Sequence, residues 1–337
     1  MTVSTSAPTL RLAHGLQFED LYRREGLLRL DAHFVDSLRE RAPEVAQQLL
    51  AARQDPVLLT RLETSQLLIA LAPHVEAFVA QLFGIEAEAE ALSAGHAELA
   101  PLYAVKRAFV QRRAMAKIKQ AEAEAIDGPA LEAQLADRMG GAFSELGFAR
   151  LVTGWLAEEA AHQQELDMAA RFAAWAAHSE AGRTRHGAGI LFKAPAKLDP
   201  LHLVPLHEQE HGTHRSFHAT HLRRREGFAL TDRGTDLTGA LDQANYCIWC
   251  HEQQRDSCSS GMREKATAPE VKPPFKKSPF GVPLNGCPLD EKISEFHKVK
   301  VQGHSIGALA IIAVDNPMAA ATGHRICNDC MKACIYQ

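Results

Sequence analysis

Through the first two-thirds of the chain the apolar positions recur at helical spacing. No alternating run of β-branched residues appears before residue 200. Residues 18–126 are rich in Ala, Leu, Glu, Gln and Arg, all good helix formers. Asp55-Pro56 reads as an N-cap with proline in the first turn. Behind it Leu58, Leu59, Leu62, Leu67, Leu68 and Leu71 repeat at helical spacing, and Pro73 is expected to kink or end that helix. Residues 126–129, Ile-Asp-Gly-Pro, mark a turn and a fresh helix start, and Gly140-Gly141 marks another break. The clearest helix is predicted over 147–178, with Leu151, Trp155, Leu166, Ala169 and Ala173 as its apolar stripe.

The expected fold is therefore mainly α. Residues 1–15 read as a Ser/Thr/Pro-rich tail, and 16–182 as a bundle-like helical domain whose role the sequence does not give. Glycine and proline rise over 183–236, which reads as a linker, and 237–337 form a second domain. Within that domain the stretch 265–283, rich in proline and lysine, reads as an extended insertion.

Composition narrows the function. A formal net charge of −4 over 337 residues gives no reason to expect nucleic acid or an anionic membrane surface as partner. The opening residues carry no basic segment followed by an apolar core, so no signal peptide is expected. Apolar runs such as 308–314 are too short to span a bilayer. A cytoplasmic, reducing location and no membrane partner follow as expectations. No Gly-x-Gly-x-x-Gly or P-loop occurs, and Gly187-Ala-Gly189 is only a faint echo of one.

Two features of the helical part carry possible ligands. Glu159 and His162, in Glu158-Glu159-Ala-Ala-His162-Gln-Gln-Glu165, have the i, i+3 spacing of di-iron carboxylate bundles, and Glu208/His211 repeat it. A ferritin-like di-iron protein is thus one alternative, against a rim glutamate beside a packed histidine. The second feature is the series His202, His207, His211, His214, His218 and His221, followed by Arg223-Arg224-Arg225. Neutral imidazoles suit zinc or haem, but a solvated basic surface explains the series better.

All seven cysteines lie in the last 91 residues: Cys247, Cys250, Cys258, Cys287, Cys327, Cys330 and Cys334. In a reducing compartment such a set is expected to bind metal rather than form disulfides. Cys247-x2-Cys250 and Cys327-x2-Cys330-x3-Cys334 let neighbouring thiolates grip one centre, and Cys287-Pro288 is a pair found in cluster-binding chains. Zinc held by Cys247, Cys250, Cys327 and Cys330, in a structural or adaptor protein, is the competing reading. From Cys247 onward 11 Lys and Arg face 9 Asp and Glu, a mildly basic shell suited to an anionic cluster.

Read in order, Cys247-x2-Cys250, Cys258, Gly286-Cys287-Pro288-Leu289, Asn316-Pro317 and Thr322-Gly323-x-Arg325-x-Cys327-x2-Cys330-x3-Cys334 resemble the amino-terminal cluster domain of the glutamate synthase small subunit. Dihydropyrimidine dehydrogenase and large bacterial FAD-dependent pyridine-nucleotide oxidoreductases carry a similar domain. The resemblance covers roughly residue 242 onward and implies an α-helical, ferredoxin-like domain with two [4Fe–4S] clusters. It assigns Cys247, Cys250, Cys258 and Cys334 to one cluster. Cys287, Cys327 and Cys330 would serve the other, its fourth ligand being His324, Asp329 or a group outside the chain. The 28 residues between Cys258 and Cys287 depart from the family pattern. The implied function is an electron-transfer module, not catalytic alone, that works with a flavin- and NAD(P)-binding domain or subunit and can form a homo-oligomer. Trp249, Ile326 and Ile335 are expected to keep water from the clusters.

Overall fold

The computed structural model describes residues 12–193, 199–203, 206–208, 215–217, 226–229, 234–266, 272–323 and 327–335. The fold is mainly helical. After a short 3-10 turn, Phe18–Tyr22, come α1 (Arg24–Arg41), α2 (Pro43–Gln54), α3 (Arg61–Phe83) and α4 (Glu86–Val105). A π-helical stretch, Lys106–Met115, continues α4. Then follow α5 (Gln120–Glu124), α6 (Gly128–Met139), α7 (Glu145–Ala157), α8 (Gln163–His178) and α9 (Glu180–His186). The two short strands β1 (Leu206–Glu208) and β2 (Arg215–Phe217) pair antiparallel, with His207 opposite Ser216. The carboxy-terminal part holds α10 (Leu237–Tyr246), α11 (Ser257–Ser260), α12 (Ile293–Val301), α13 (Ser305–Asp315), α14 (Ala319–Thr322) and α15 (Asp329–Lys332).

Local chemistry sets several of these boundaries. Asp55 accepts the Val57 N–H, but only for the 3-10 turn Pro56–Leu58. The long helix begins later, where Thr60 and Glu63 form a reciprocal capping box. It then runs through Pro73 and ends at left-handed Gly84, so the expected break at Pro73 does not occur. Apolar contacts on both sides of the proline hold the helix in place: Ile69 and Ala72 pack with Ile311 of α13, and Phe78 is buried. The turn at 126–129 and the break at Gly140 are as expected, with Asp127 capping α6 and Gly140 left-handed at its end.

The single helix expected over 147–178 is instead two, α7 and α8, divided by a turn at 158–162. In one straight helix Phe148 and Phe172 would stand about 36 Å apart. Folding back brings their ring centroids to 5.8 Å, and both become fully buried. Burial of two phenylalanines outweighs continuation of a helix through Glu158-Glu159. Around them α8 supplies Leu166, Ala169, Ala173 and Ala174, none with exposed surface. Alanine lets α5, α6, α9 and the π-helical stretch approach closely. A methyl group at Gly128 would fall 1.9 Å from the Trp175 ring, so glycine is required there.

The carboxy-terminal helices pack onto the amino-terminal ones. α3 lies against α12 and α13, and α10 lies against α4 and α12. Glu76 of α3 is buried and accepts the Ile306 and Gly307 N–H groups at 2.7 and 3.1 Å, capping α13 from outside. Ser65 donates to Glu295 at 2.5 Å. Arg61 pairs with Asp290 at 2.7 Å, and Lys106 pairs with Asp242 at 2.6 Å. Helix α3 is long and apolar enough to cross a membrane by length and composition, contrary to the expectation from apolar runs. Here it is a packed helix with buried, hydrogen-bonded polar groups.

The described part of the proline- and lysine-rich insertion is extended, as expected. Residues 262–266 and 272–284 pair through Met262 N–H to Leu284 O (2.9 Å), Lys276 N–H to Met262 O (2.8 Å) and Glu264 N–H to Pro274 O (3.0 Å).

Candidate thiol site

Cys247 caps α10, and the following turn places Trp249 in left-handed conformation, with φ +55°. That turn aims the Trp249 N–H at the Cys247 sulfur, 3.4 Å away, and returns the chain so that Cys250 opens the 3-10 turn Cys250–Gln253. Cys258 lies on α11, one turn long, which buried Asp256 caps by accepting the Ser259 N–H. The Cys258 carbonyl accepts the Cys287 N–H at 2.7 Å, so the two cysteines sit side by side despite the insertion between them. Gly286 makes this approach possible. Its φ is +82°, and a Cβ there would meet Gly261 N at 2.5 Å and Ser259 O at 2.8 Å.

Near the end of the chain, α15 packs against α11. The charge of Cys334, just past α15, bears on Cys247, Cys250 and Cys258. Cys247, Cys250, Cys258 and Cys334 therefore form one group. Cys330 of α15 sits near Cys287 and Cys327, which form the second. Among the described residues Cys247, Cys250, Cys327 and Cys330, the set the four-thiolate zinc reading needs, do not converge as a group that could hold a metal ion. None of the seven is disulfide-bonded.

The groups share an electrostatic problem. Burial, with Cys250, Asp256 and Cys334 nearby, pushes the Cys247 thiol up to about 11. The neighbouring Cys334, then burial, drives Cys258 far above its usual range. Burial first, then Asp256 and Cys334, raises Cys250. Burial first, then Cys287, raises Cys330. Sulfurs so packed stay protonated on their own, because a second thiolate repels the first in low dielectric. A bound cationic centre would reverse the balance.

The surroundings are more polar than the sequence suggested. His251 is buried and bonded to Ser294 through N–H and ring, and burial lowers its affinity for a proton. Asp256 is raised by burial and by Glu295 beside it. No spacing rule marks His251, Ser294 or Glu295. Asp256 was findable, since Asp-Ser-Cys-Ser is an N-cap pattern. Trp249 lies between cations, with Arg107 and Lys298 at 5.9 and 5.8 Å from its ring centroid. Ile335 is half exposed, while His324, Ile326 and Gln337 lie outside the described residues. Asp329 pairs with Lys332 at 2.9 Å.

The other candidate ligands do not assemble. Glu159 and His162 sit in the turn between α7 and α8, so they do not share a helix face. Glu159 pairs with Arg113 at 2.7 Å, while His162 stands 3.9 Å from Glu165. Exposed His202 pairs with Asp199 at 2.6 Å. The side chains of His207 and Glu208 and the whole of His211, His214, His218, His221 and Arg223-Arg224-Arg225 lie outside the described residues. Among the described residues no set of three or more His, Cys, Asp or Glu converges closely enough to hold a single metal ion.

The fold and site define a two-part helical protein with a cysteine-lined carboxy-terminal end. A family described as the RP005 N-terminal alpha-helical domain matches residues 12–84, the region of α1 to α3. The chain is 29% identical over 308 residues to "Uncharacterized protein RP005" of Rickettsia prowazekii (strain Madrid E), covering 87% of this chain and 99% of that protein. It is also 90% identical over 20 residues to "Uncharacterized protein RP006" of the same organism, 6% of this chain and 3% of that protein. No solved structure matches.

These comparisons overturn the resemblance to the glutamate synthase small-subunit cluster domain. The matching family is helical and amino-terminal, and the full-length similarity runs to RP005. Nothing in them supports the iron–sulfur, metal-binding oxidoreductase class that came with the resemblance: the matching family is a helical domain with no activity in its description, and no group of described residues could hold a single metal ion. Short cysteine spacings recur in unrelated chains, because any tight loop that pairs two thiols uses them. Their order along this chain was not enough to carry a family.

Proposed function

We propose that the carboxy-terminal thiols carry a cofactor through which the chain serves a larger redox partner bearing a flavin or a pyridine nucleotide. The observation that carries this reading is the packing of α15, which holds Cys330, against α11, which holds Cys258, while the Cys258 carbonyl accepts the Cys287 N–H at 2.7 Å, so thiols far apart in sequence are drawn to one end of the fold. It owes nothing to family membership. Four sulfurs in one group and three in the other, each half-buried or better except Cys327, are a soft donor set with no structural need for so much sulfur.

The chain's own contribution is positional. Trp249 N–H supports the Cys247 sulfur, Gly286 admits Cys287 beside Cys258, and α15 brings Cys330 and Cys334 across from the far end of the sequence. When bound, the cofactor would supply single-electron exchange at a potential set by sulfur hydrogen bonds and burial. Arg107, beside Trp249, would balance part of the added negative charge, while Lys298 is already paired with Glu252 at 2.5 Å.

The test is purification of the whole chain without oxygen, followed by assay of iron, zinc and acid-labile sulfide with visible absorbance. Iron with sulfide and a reducible chromophore, as two [4Fe–4S] clusters would give, is the result expected. Cys258→Ser and Cys330→Ser should each remove part of the signal, since they belong to different groups. Colourless protein, with zinc alone or with free thiols only, would overturn the proposal.

A further inference from the structure

Next to the thiols, but not part of them, lies a cavity of about 700 Å³. Arg255 and Ser257 form one side, Arg263 and Lys265 come from the first arm of the extended insertion, and Lys272 and Lys276 come from the second. Five cations therefore face one space with one lining carboxylate, Glu264. The sequence adds Glu270 between the arms, outside the described residues. Among the described residues no acidic side chain pairs with any of the five. Cations drawn together on one concave surface repel one another and lower the free energy of any anion that enters.

Two details make this a built site rather than a basic surface. Ser257 lines the cavity, and its hydroxyl is buried beside it with no hydrogen-bond partner. A buried hydroxyl left unpaired is unfavourable until a ligand supplies the partner. Arg263 is held in place: it donates to the Pro273 carbonyl at 2.8 Å and stacks on the Phe275 ring at 3.7 Å. A guanidinium fixed on one edge offers the remaining N–H groups to a planar or tetrahedral oxyanion with little loss of freedom.

The geometry points to this cavity as a binding site for a nucleoside diphosphate, with the cations on its phosphates and Ser257 donating to one of their oxygens. The volume lies in the range of small-molecule sites, and a concave space suits a ligand that enters it better than an acidic protein surface laid across it. Met262 and Pro273 provide apolar lining for the nucleoside. Side-chain cations would here replace the glycine-rich loop that the sequence lacks. The site stands whether or not the thiols hold a cofactor.

Calorimetric titration of the whole chain with ADP, inorganic pyrophosphate and adenosine tests it. ADP should bind at one site, pyrophosphate should compete, and adenosine alone should not bind. Binding should weaken as salt rises. Lys272→Ala/Lys276→Ala, two exposed positions where folding should be unaffected, should weaken ADP roughly tenfold or more, with Ser257→Ala a few-fold. Unchanged affinity in the double variant, or no binding of ADP and pyrophosphate at millimolar concentration, would overturn the assignment. So would binding of polyglutamate without ADP.

Discussion

The core around α8 and the sulfur-bearing end are held by different forces. Around α8, Phe148, Phe172, Leu166 and a run of alanines lose all contact with water, and burial of apolar surface carries the fold. At the carboxy-terminal end the apolar cluster is small, chiefly Ala72, Val299, Ala308 and Ile311, and Ala72 comes from α3. What fixes that end is polar and local: Glu76 on the start of α13, Ser65 on Glu295, Asp256 on α11, and a glycine where no other residue fits. An apolar core tolerates no missing volume. A polar, thiol-lined region depends instead on individual bonds and on whatever the sulfurs hold.

The contrast can be broken at several points, and the largest effect is expected in the apolar core. Phe172→Ala should lower stability by about 3–5 kcal/mol, read from chemical denaturation, because four aromatic neighbours and Trp175 cannot close the space. A loss below about 1 kcal/mol would mean that the core is loosely packed.

Acid should act next, and on the other region. Burial of His297 on α12 lowers its pKa to about 4, and its Nδ1 has no partner. The unfolded chain, with a pKa near 6.5, binds the proton first. Stability should therefore be constant above pH 6.5 and fall as pH drops from 6.5 towards 4, by about 3 kcal/mol in all. His297→Gln should remove most of that dependence; an unaltered acid profile would count against this account.

Glu76→Gln should cost about 1.5–3 kcal/mol, because two N–H groups at the start of α13 lose a charged acceptor. Hydrogen exchange should rise across 305–315 and stay unchanged across 163–178. Equal loosening in both places would show that the two regions unfold as one.

Gly286→Ala should cost about 1–3 kcal/mol through the left-handed backbone and contact with the Cys258 turn. Thiol reactivity should change at Cys258 and Cys287 while near-ultraviolet signals from Trp155 and Trp175 stay fixed. The smallest effect, about 1 kcal/mol, is expected for Thr60→Ala at the start of α3. It should appear in both regions, since α3 serves both.

Much of the helical part was legible from sequence because its signals are local. Asp127-Gly-Pro and Gly140 mark ends by their own backbone chemistry, wherever the segment lies. The merged reading of 147–178 failed for a non-local reason: periodicity continues through 158–162, and only the meeting of Phe148 with Phe172 shows that the chain turns there. Pro73 misled in the opposite direction, since packing against α13 holds a helix that its local chemistry would interrupt. At the site, the seven cysteines were visible, but the buried partners His251, Ser294 and Glu295 were not. They come from separate segments and follow no spacing. The family resemblance failed because order and spacing of cysteines record loop geometry, which unrelated chains share.

By itself the sequence determined the helical class, the turns carried by glycine, proline and capping residues, and the confinement of sulfur to the last 91 residues. Those features depend on interactions within a few residues. Tertiary structure alone decided that α3 would be gripped by α12 and α13, that α15 with Cys330 would pack on α11 with Cys258, and that five cations would face one cavity. Each brings together groups far apart along the chain, and their meeting depends on how the intervening helices pack.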